Sequence, residues 1–83
     1  MDLQRDIRHF IEQDLQRPLD AVANGDSLLE AGILDSLGVM QVVAFVEQRF
    51  AIAVTEDEMM PDNFESIDAI AHFVQRRQSA ART

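Results

Sequence analysis

The sequence predicts an all-α fold, a small four-helix bundle with three long helices and a short third one, and three observations carry that prediction. Apolar residues recur at helical spacing in three separate stretches. Helix-starting and helix-stopping residues stand at the edges of those stretches. The one alternating run, Ala51-Ile52-Ala53-Val54, has no second strand to pair with. The chain has 83 residues, enough for one small core and too few for two.

The first helix is expected from about Asp2 to Gln16, with Asp2 as its N-cap. Leu3, Ile7, Phe10, Ile11 and Leu15 follow one another at spacings of 4, 3, 1 and 4, an amphipathic stripe. Arg17-Pro18 should end it, because the residue before proline is pushed out of the α region. His9 lies off the stripe without a ligand partner at metal spacing and reads as a surface residue.

A long connection follows from Leu19 to Asp35, with Asn24-Gly25 as a turn signal. Leaving Leu28, Leu29, Ile33 and Leu34 in water would cost ~1.5–3 kcal/mol each relative to full burial, so the connection should fold back onto the bundle. Gly32 suits a positive φ, where alanine would be strained.

The second helix is expected over about Ser36 to Phe50. Val39, Val42, Val43, Val46 and Phe50 share its core face, while Leu37, Met40, Gln41, Ala44 and Gln48 line the side facing solvent. For a surface, that side has few charges, and Leu37, Met40 and Ala44 form an expected contact patch beside Ser36. Thr55-Glu56-Asp57-Glu58 matches a capping box and should start a short third helix that Pro61 stops. Phe64 anchors the next segment and Ser66 can cap the last helix. Ile67, Ile70, Ala71, Phe73 and Val74 form the stripe of that helix, to about Arg77. Residues 1–78 are expected to be one domain and 79–83 a disordered tail.

Fifteen acidic residues against seven basic ones give a net charge of -8, which argues against nucleic acid, since phosphate binding is driven by clusters of Lys and Arg. The acids concentrate in residues 18–35 and 51–65, which contain no Lys or Arg, so basic partners are expected. There is no cysteine, hence no disulfide, no thiolate nucleophile and no Cys-based metal site. No apolar run is long enough to span a bilayer, and the expectation is a soluble, cytoplasmic monomer.

Enzymatic chemistry needs an activated nucleophile, a metal cluster or an acid and base pair, and none is visible. His9 and His72 fall on different helices, and neither is close to Ser36 in sequence. The Thr-Glu-Asp-Glu run lacks the alternating ligands and central glycine of a calcium loop. What stands out is Asp35-Ser36, where one capping residue would suffice. If Asp35 caps the helix, the Ser36 hydroxyl is spare and open to modification; on these two residues alone a doubled cap signal is the better explanation of the pair.

The segment "DSLLEAGILDSLGVMQVVAFVEQRF" resembles the region of acyl and peptidyl carrier proteins that holds their Asp-Ser-Leu attachment motif. The likeness covers nearly the whole chain, through Glu47-Gln48-Arg49-Phe50 to the last helix in "NFESIDAIAHFV". It implies a carrier without catalytic residues of its own. Ser36, flanked by Asp35 and Leu37, would accept 4'-phosphopantetheine from coenzyme A through a magnesium-dependent phosphopantetheinyl transferase. Acyl or aminoacyl cargo would ride on the group as a thioester. Further partners would be an adenylating acyl or amino acid ligase and downstream acyl-processing enzymes. Leu37, Met40, Gln41, Ala44, Glu56, Met59 and Met60 would form the docking surface, with thioethers adaptable to several partners. Fatty-acid carriers usually show several carboxylates on the exposed side of the second helix, where this sequence has Glu47 alone. That departure favours a free-standing carrier of a dedicated secondary-metabolite or modified-lipid pathway. The alternative is a non-enzymatic helical adaptor that binds a protein through the exposed face of that helix.

Overall fold

The computed structural model describes residues 3–81, all of its regular structure helical. In chain order it contains α1 (Leu3–Gln13), α2 (Ser36–Phe50), a single 3-10 turn (Glu56–Glu58), α3 (Pro61–Phe64) and α4 (Ile67–Ala81). The expected four-helix bundle with a short third helix is what the chain forms. Asp2, the expected first cap, lies outside the described residues.

α4 is the hub, packing against α1, α2 and α3. Its Ile67, Ile70 and Val74 are fully buried with Ile7 and Ile11 of α1 and with Val42 and Val46 of α2, so the three amphipathic stripes meet in one core. α1 also touches α2 through stacked rings, Phe10 on Phe45 with centroids 4.2 Å apart and planes 14° apart. Phe45 then meets Phe50 edge-on at 6.0 Å.

The long connection between α1 and α2 folds back as expected. Leu19, Leu28 and Leu34 are buried, and the Cα radius of gyration, 11.9 Å, is what a compact chain of this length should have, about 12 Å. Arg8 holds its first half: Nη1 donates to the Val22 carbonyl at 2.9 Å and to Asn24 Oδ1 at 3.0 Å, and Nη2 donates to the Leu19 carbonyl at 3.0 Å. The second half is tied to the end of α3, with Leu28 N–H donating to the carbonyl of its C-cap, Glu65, at 2.7 Å. Gly32 sits at φ 75°, the left-handed turn expected of it.

Four expectations need correction. α1 ends at Gln13 rather than near Gln16, because Gln16 turns left-handed at φ 54° and lets the Arg17 N–H reach the Ile11 carbonyl at 3.1 Å. The Thr55–Glu58 signal produces one 3-10 turn and no further helix. Pro61 opens α3 instead of stopping a helix, since its missing N–H costs nothing at a first helical position. α4 runs to Ala81, so the expected tail from residue 79 is helical through Ala81, and residues 82 and 83 are not described.

Candidate functional site around Ser36

Asp35 is the N-cap of α2. Its backbone is extended (φ -113°, ψ -170°) and its Oδ1 accepts the Gly38 N–H at 2.8 Å, satisfying one of the orphan donors of the first turn. Ser36 is therefore the first helical residue. Its side chain is exposed and makes no hydrogen bond among the described residues, so its hydroxyl is available at the positive end of the helix. Gly38 is buried at this point because the helix start lies on Leu34: a Cβ there would stand 3.0 Å from Leu34 Cδ2 and 3.4 Å from Asp35 Oδ1. The missing side chain thus permits both the packing and the cap.

Ser36 forms part of the wall of an apolar groove of about 280 Å³, lined also by Leu29, Val39, Met40, Val43, Met59, Met60 and Phe64. Of the docking residues expected from sequence, Met40, Met59 and Met60 gather here, exposed at 61%, 41% and 52%. Leu37, 67% exposed, stands beside Ser36 outside the groove lining, and Gln41 and Ala44 continue the exposed side of α2. Glu56 is exposed on the 3-10 turn, away from the lining.

The sequence pattern does not mark Leu29, Val39, Val43 and Phe64 for the site. Leu29 was expected to be buried with its neighbours, yet it is 39% exposed while Leu28 is fully buried. Within one turn two adjacent leucines point opposite ways, and composition does not reveal which points outward. Val39, expected in the core, is only partly buried, because it lies where the core stripe meets the groove. A larger depression of about 560 Å³ lies on α1 between Gln4, Arg5, Arg8, His9, Glu12 and Asn24. It is polar and remote from Ser36 in sequence, and Arg8 already donates three hydrogen bonds to the connection.

The charges of α2 are spent internally. Glu47, expected to be the one acid on its outer side, accepts the Val54 N–H on Oε2 at 2.9 Å, and Arg49 pairs with Asp6 at 3.5 Å. Glu58 accepts the Thr55 N–H at 3.0 Å and a short contact from Arg77 Nη1 at 2.6 Å, which fixes the 3-10 turn to α4. The Thr55 backbone bond first, and Arg77 with the Thr55 hydroxyl after it, outweigh desolvation and hold the Glu58 carboxyl below its ordinary value. His9 and His72 are exposed, and among the described residues no group of three acidic or histidine side chains could hold a metal ion.

Comparison with known proteins gives the family. The family described as "Phosphopantetheine attachment site" matches residues 5–74. The D-alanyl carrier protein of Streptococcus sanguinis (strain SK36) is 28% identical over 80 residues, covering 96% of this chain and all of that protein. The "Probable acyl carrier protein PigG" of Serratia sp. (strain ATCC 39006) is 29% identical over 70 residues, 84% of this chain and 80% of that one. A solved chain from a structure described as "Crystal structure of FAD-dependent dehydrogenase" superposes with a TM-score of 0.70 at 33% identity. The alignment covers 82% of this chain and 97% of that one, so the solved chain is itself of about this size. Members of the matching family carry 4'-phosphopantetheine covalently on a serine and are carriers, not catalysts. This chain belongs to the phosphopantetheine attachment family, as a carrier protein of the acyl and peptidyl carrier type.

Proposed function

We propose that the serine modified in this chain is Ser36 and that the holo protein presents acyl or aminoacyl groups to the enzymes of a dedicated secondary-metabolite or modified-lipid pathway. The observation that carries the reading is the unengaged Ser36 hydroxyl at the first position of α2, left free because Asp35 performs the capping. The other serines are less suited. Ser27 Oγ accepts the Glu30 N–H at 3.2 Å; Ser66 is 7% exposed and its Oγ accepts the Ala69 N–H at 3.0 Å. Ser79 lies beyond the matched residues 5–74.

On this reading the Ser36 oxygen displaces adenosine 3',5'-bisphosphate from coenzyme A, forming a phosphodiester and giving up its proton to the transferase. The N-terminal end of α2 favours the anion by ~0.3–1 kcal/mol. When attached, the group supplies the thiol that a chain without cysteine lacks. Leu37, with Met40 and Ala44 one turn and two turns on, offers a partner an uncharged contact beside the modified serine. The engaged carboxylate of Glu47 supports a role other than housekeeping fatty-acid synthesis.

Partners on this reading are a phosphopantetheinyl transferase, an adenylating acyl or amino acid ligase and downstream acyl-processing enzymes. The D-alanyl carrier relatives support a small aminoacyl cargo, and the solved neighbour supports a flavin-dependent dehydrogenase as one downstream class. No helix among the described residues is long and apolar enough to cross a membrane. We place the carrier in the cytoplasm as a monomer, where coenzyme A and such ligases are found. Incubation with coenzyme A, magnesium and a broad-specificity transferase should add one phosphopantetheine by intact mass. No addition, or addition that persists in Ser36→Ala, rejects the assignment.

A further inference from the structure

We infer that Arg77 is a positioning residue for the Ser36 site: from α4 it holds the Met59-Met60 segment where an enzyme acting on Ser36 must meet it. This rests on Ser36 being the modified residue. Met59 is the C-cap of the 3-10 turn and Met60 the N-cap of α3, so the pair is a two-residue junction between two short elements. Neither side chain is buried, at 41% and 52% exposure, and packing alone does not fix them. Their place is set by what flanks them.

The flanks are tied to α4. Glu58 Oε2 accepts Arg77 Nη1 at 2.6 Å, and the Glu58 carbonyl accepts Asn63 Nδ2 at 2.7 Å across the junction. Asn63 Oδ1 in turn accepts Arg76 Nη2 at 3.3 Å. Behind α3, the Phe64 ring lies against Phe73 of α4 with centroids 5.4 Å apart. Of the polar ties, the bond between Arg77 and Glu58 is charged on both sides, and such bonds are the strong ones. The other Glu58 oxygen, Oε1, accepts the Thr55 N–H at 3.0 Å and the Thr55 hydroxyl at 3.2 Å. Glu58 thus closes the 3-10 turn by itself, and Arg77 docks the closed turn on α4. Without Arg77 the turn should still form, and be free to shift.

Such a shift reaches Ser36 because Ser36, Met59 and Met60 line one groove. A specific interface buries about 800 Å² on each partner, a disc of about 16 Å radius. An enzyme centred on the Ser36 hydroxyl therefore extends over the Met59-Met60 wall. Arg77 takes no part in the groove lining, so its effect on that contact passes through Glu58.

The test follows phosphopantetheinylation of the full chain by intact mass, as kcat and as KM for the carrier, together with ¹³C spectra of the methionine methyls. Arg77→Met keeps the aliphatic stem and removes the donors. It should raise KM about fivefold with kcat unchanged, since Arg77 sets a contact and not the reacting atoms. The methyl resonances of Met59 and Met60 should shift in the same variant. Arg77→Lys restores a charged donor and should recover most of the KM. Arg49→Met removes the same charge from the ion pair with Asp6, at the opposite end of α2 from Ser36, and should match the parent. A KM for Arg77→Met equal to that of Arg49→Met overturns the inference, whether or not the methyls shift; so does a fall in kcat without a rise in KM. If Arg77→Met loses its helical circular dichroism, Glu58→Gln makes the same test, keeping an acceptor for the Thr55 N–H while losing the charge that faces Arg77. Its KM should rise too, and a KM equal to the parent's overturns the inference. A parent chain that gains no mass, or a gain that persists in Ser36→Ala, overturns instead the assignment of Ser36.

Discussion

Glu47 Oε2 accepts the backbone N–H of Val54 at 2.9 Å, joining the last turn of α2 to the segment that follows it. A side chain that the pattern of α2 would assign to the docking surface is therefore structural. Ala51, between them, is left-handed at φ 55°, and the carboxylate holds the chain through that reversal. Glu47→Ala should cost about 1–3 kcal/mol by leaving the Val54 N–H without its acceptor, a fall of several degrees in Tm. Glu47→Gln keeps an acceptor and should lose less. Neither change should alter the salt dependence of KM in the transferase reaction; if that dependence falls, Glu47 is a docking charge after all.

Asp35 and Ser36 divide capping and availability, and thermal denaturation separates the two. Asp35→Ala removes the acceptor of the Gly38 N–H and should cost ~0.5–2 kcal/mol. Ser36→Ala removes a hydroxyl without a bonded partner and should stay within about 0.5 kcal/mol of the parent, as surface substitutions usually do. A helical adaptor whose Ser36 served as the cap would give the opposite order.

The fold was legible because amphipathic spacing survives tertiary packing: Ile7, Ile11, Val42, Val46, Ile70 and Val74 are all read from period alone and all are buried. The cap at Asp35 was legible for a similar reason, since its effect is local. What sequence hid depends on direction in three dimensions. Nothing in the Leu28-Leu29 doublet states that one enters the core and the other the groove wall. Glu47 looks free until the chain reverses at Ala51. Pro61 is a breaker or a first helical residue depending on whether a helix precedes it, and the preceding 3-10 turn stops at Glu58.

Glu58 makes stability depend on acid. Its carboxyl is held below its ordinary value of 4.5 by the Thr55 N–H first and then by Arg77 and the Thr55 hydroxyl. The sign follows from linkage: a group with a depressed folded pKa contributes stability in full above its unfolded value, and loses it as pH falls through the folded one. Tm of the parent minus Tm of Glu58→Gln should thus be positive at pH 7 and shrink steadily below about pH 4.5. Arg77→Gln should show the same convergence in part, because the backbone bond remains. A difference that stays constant down to pH 3 would show that the Glu58 charge contributes nothing.

Leu37 and Met40 test the proposal that the uncharged side of α2 is a docking surface. They are 67% and 61% exposed, so neither substitution should change stability by more than about 0.5 kcal/mol. If a partner covers them beside Ser36, they sit near the centre of the contact, where truncating an apolar anchor costs most. Leu37→Ala is then expected to lower kcat/KM for phosphopantetheinylation about tenfold, the equivalent of ~1.4 kcal/mol. Most of that loss should appear in KM for the carrier, since the residue touches the partner and not the reacting phosphate. Met40→Ala should act in the same direction. Gln75→Ala, exposed on α4, is the matched control and should change nothing. Equal kinetics for Leu37→Ala and Gln75→Ala would remove α2 from the footprint, leaving the Met59-Met60 segment as the surface to examine next.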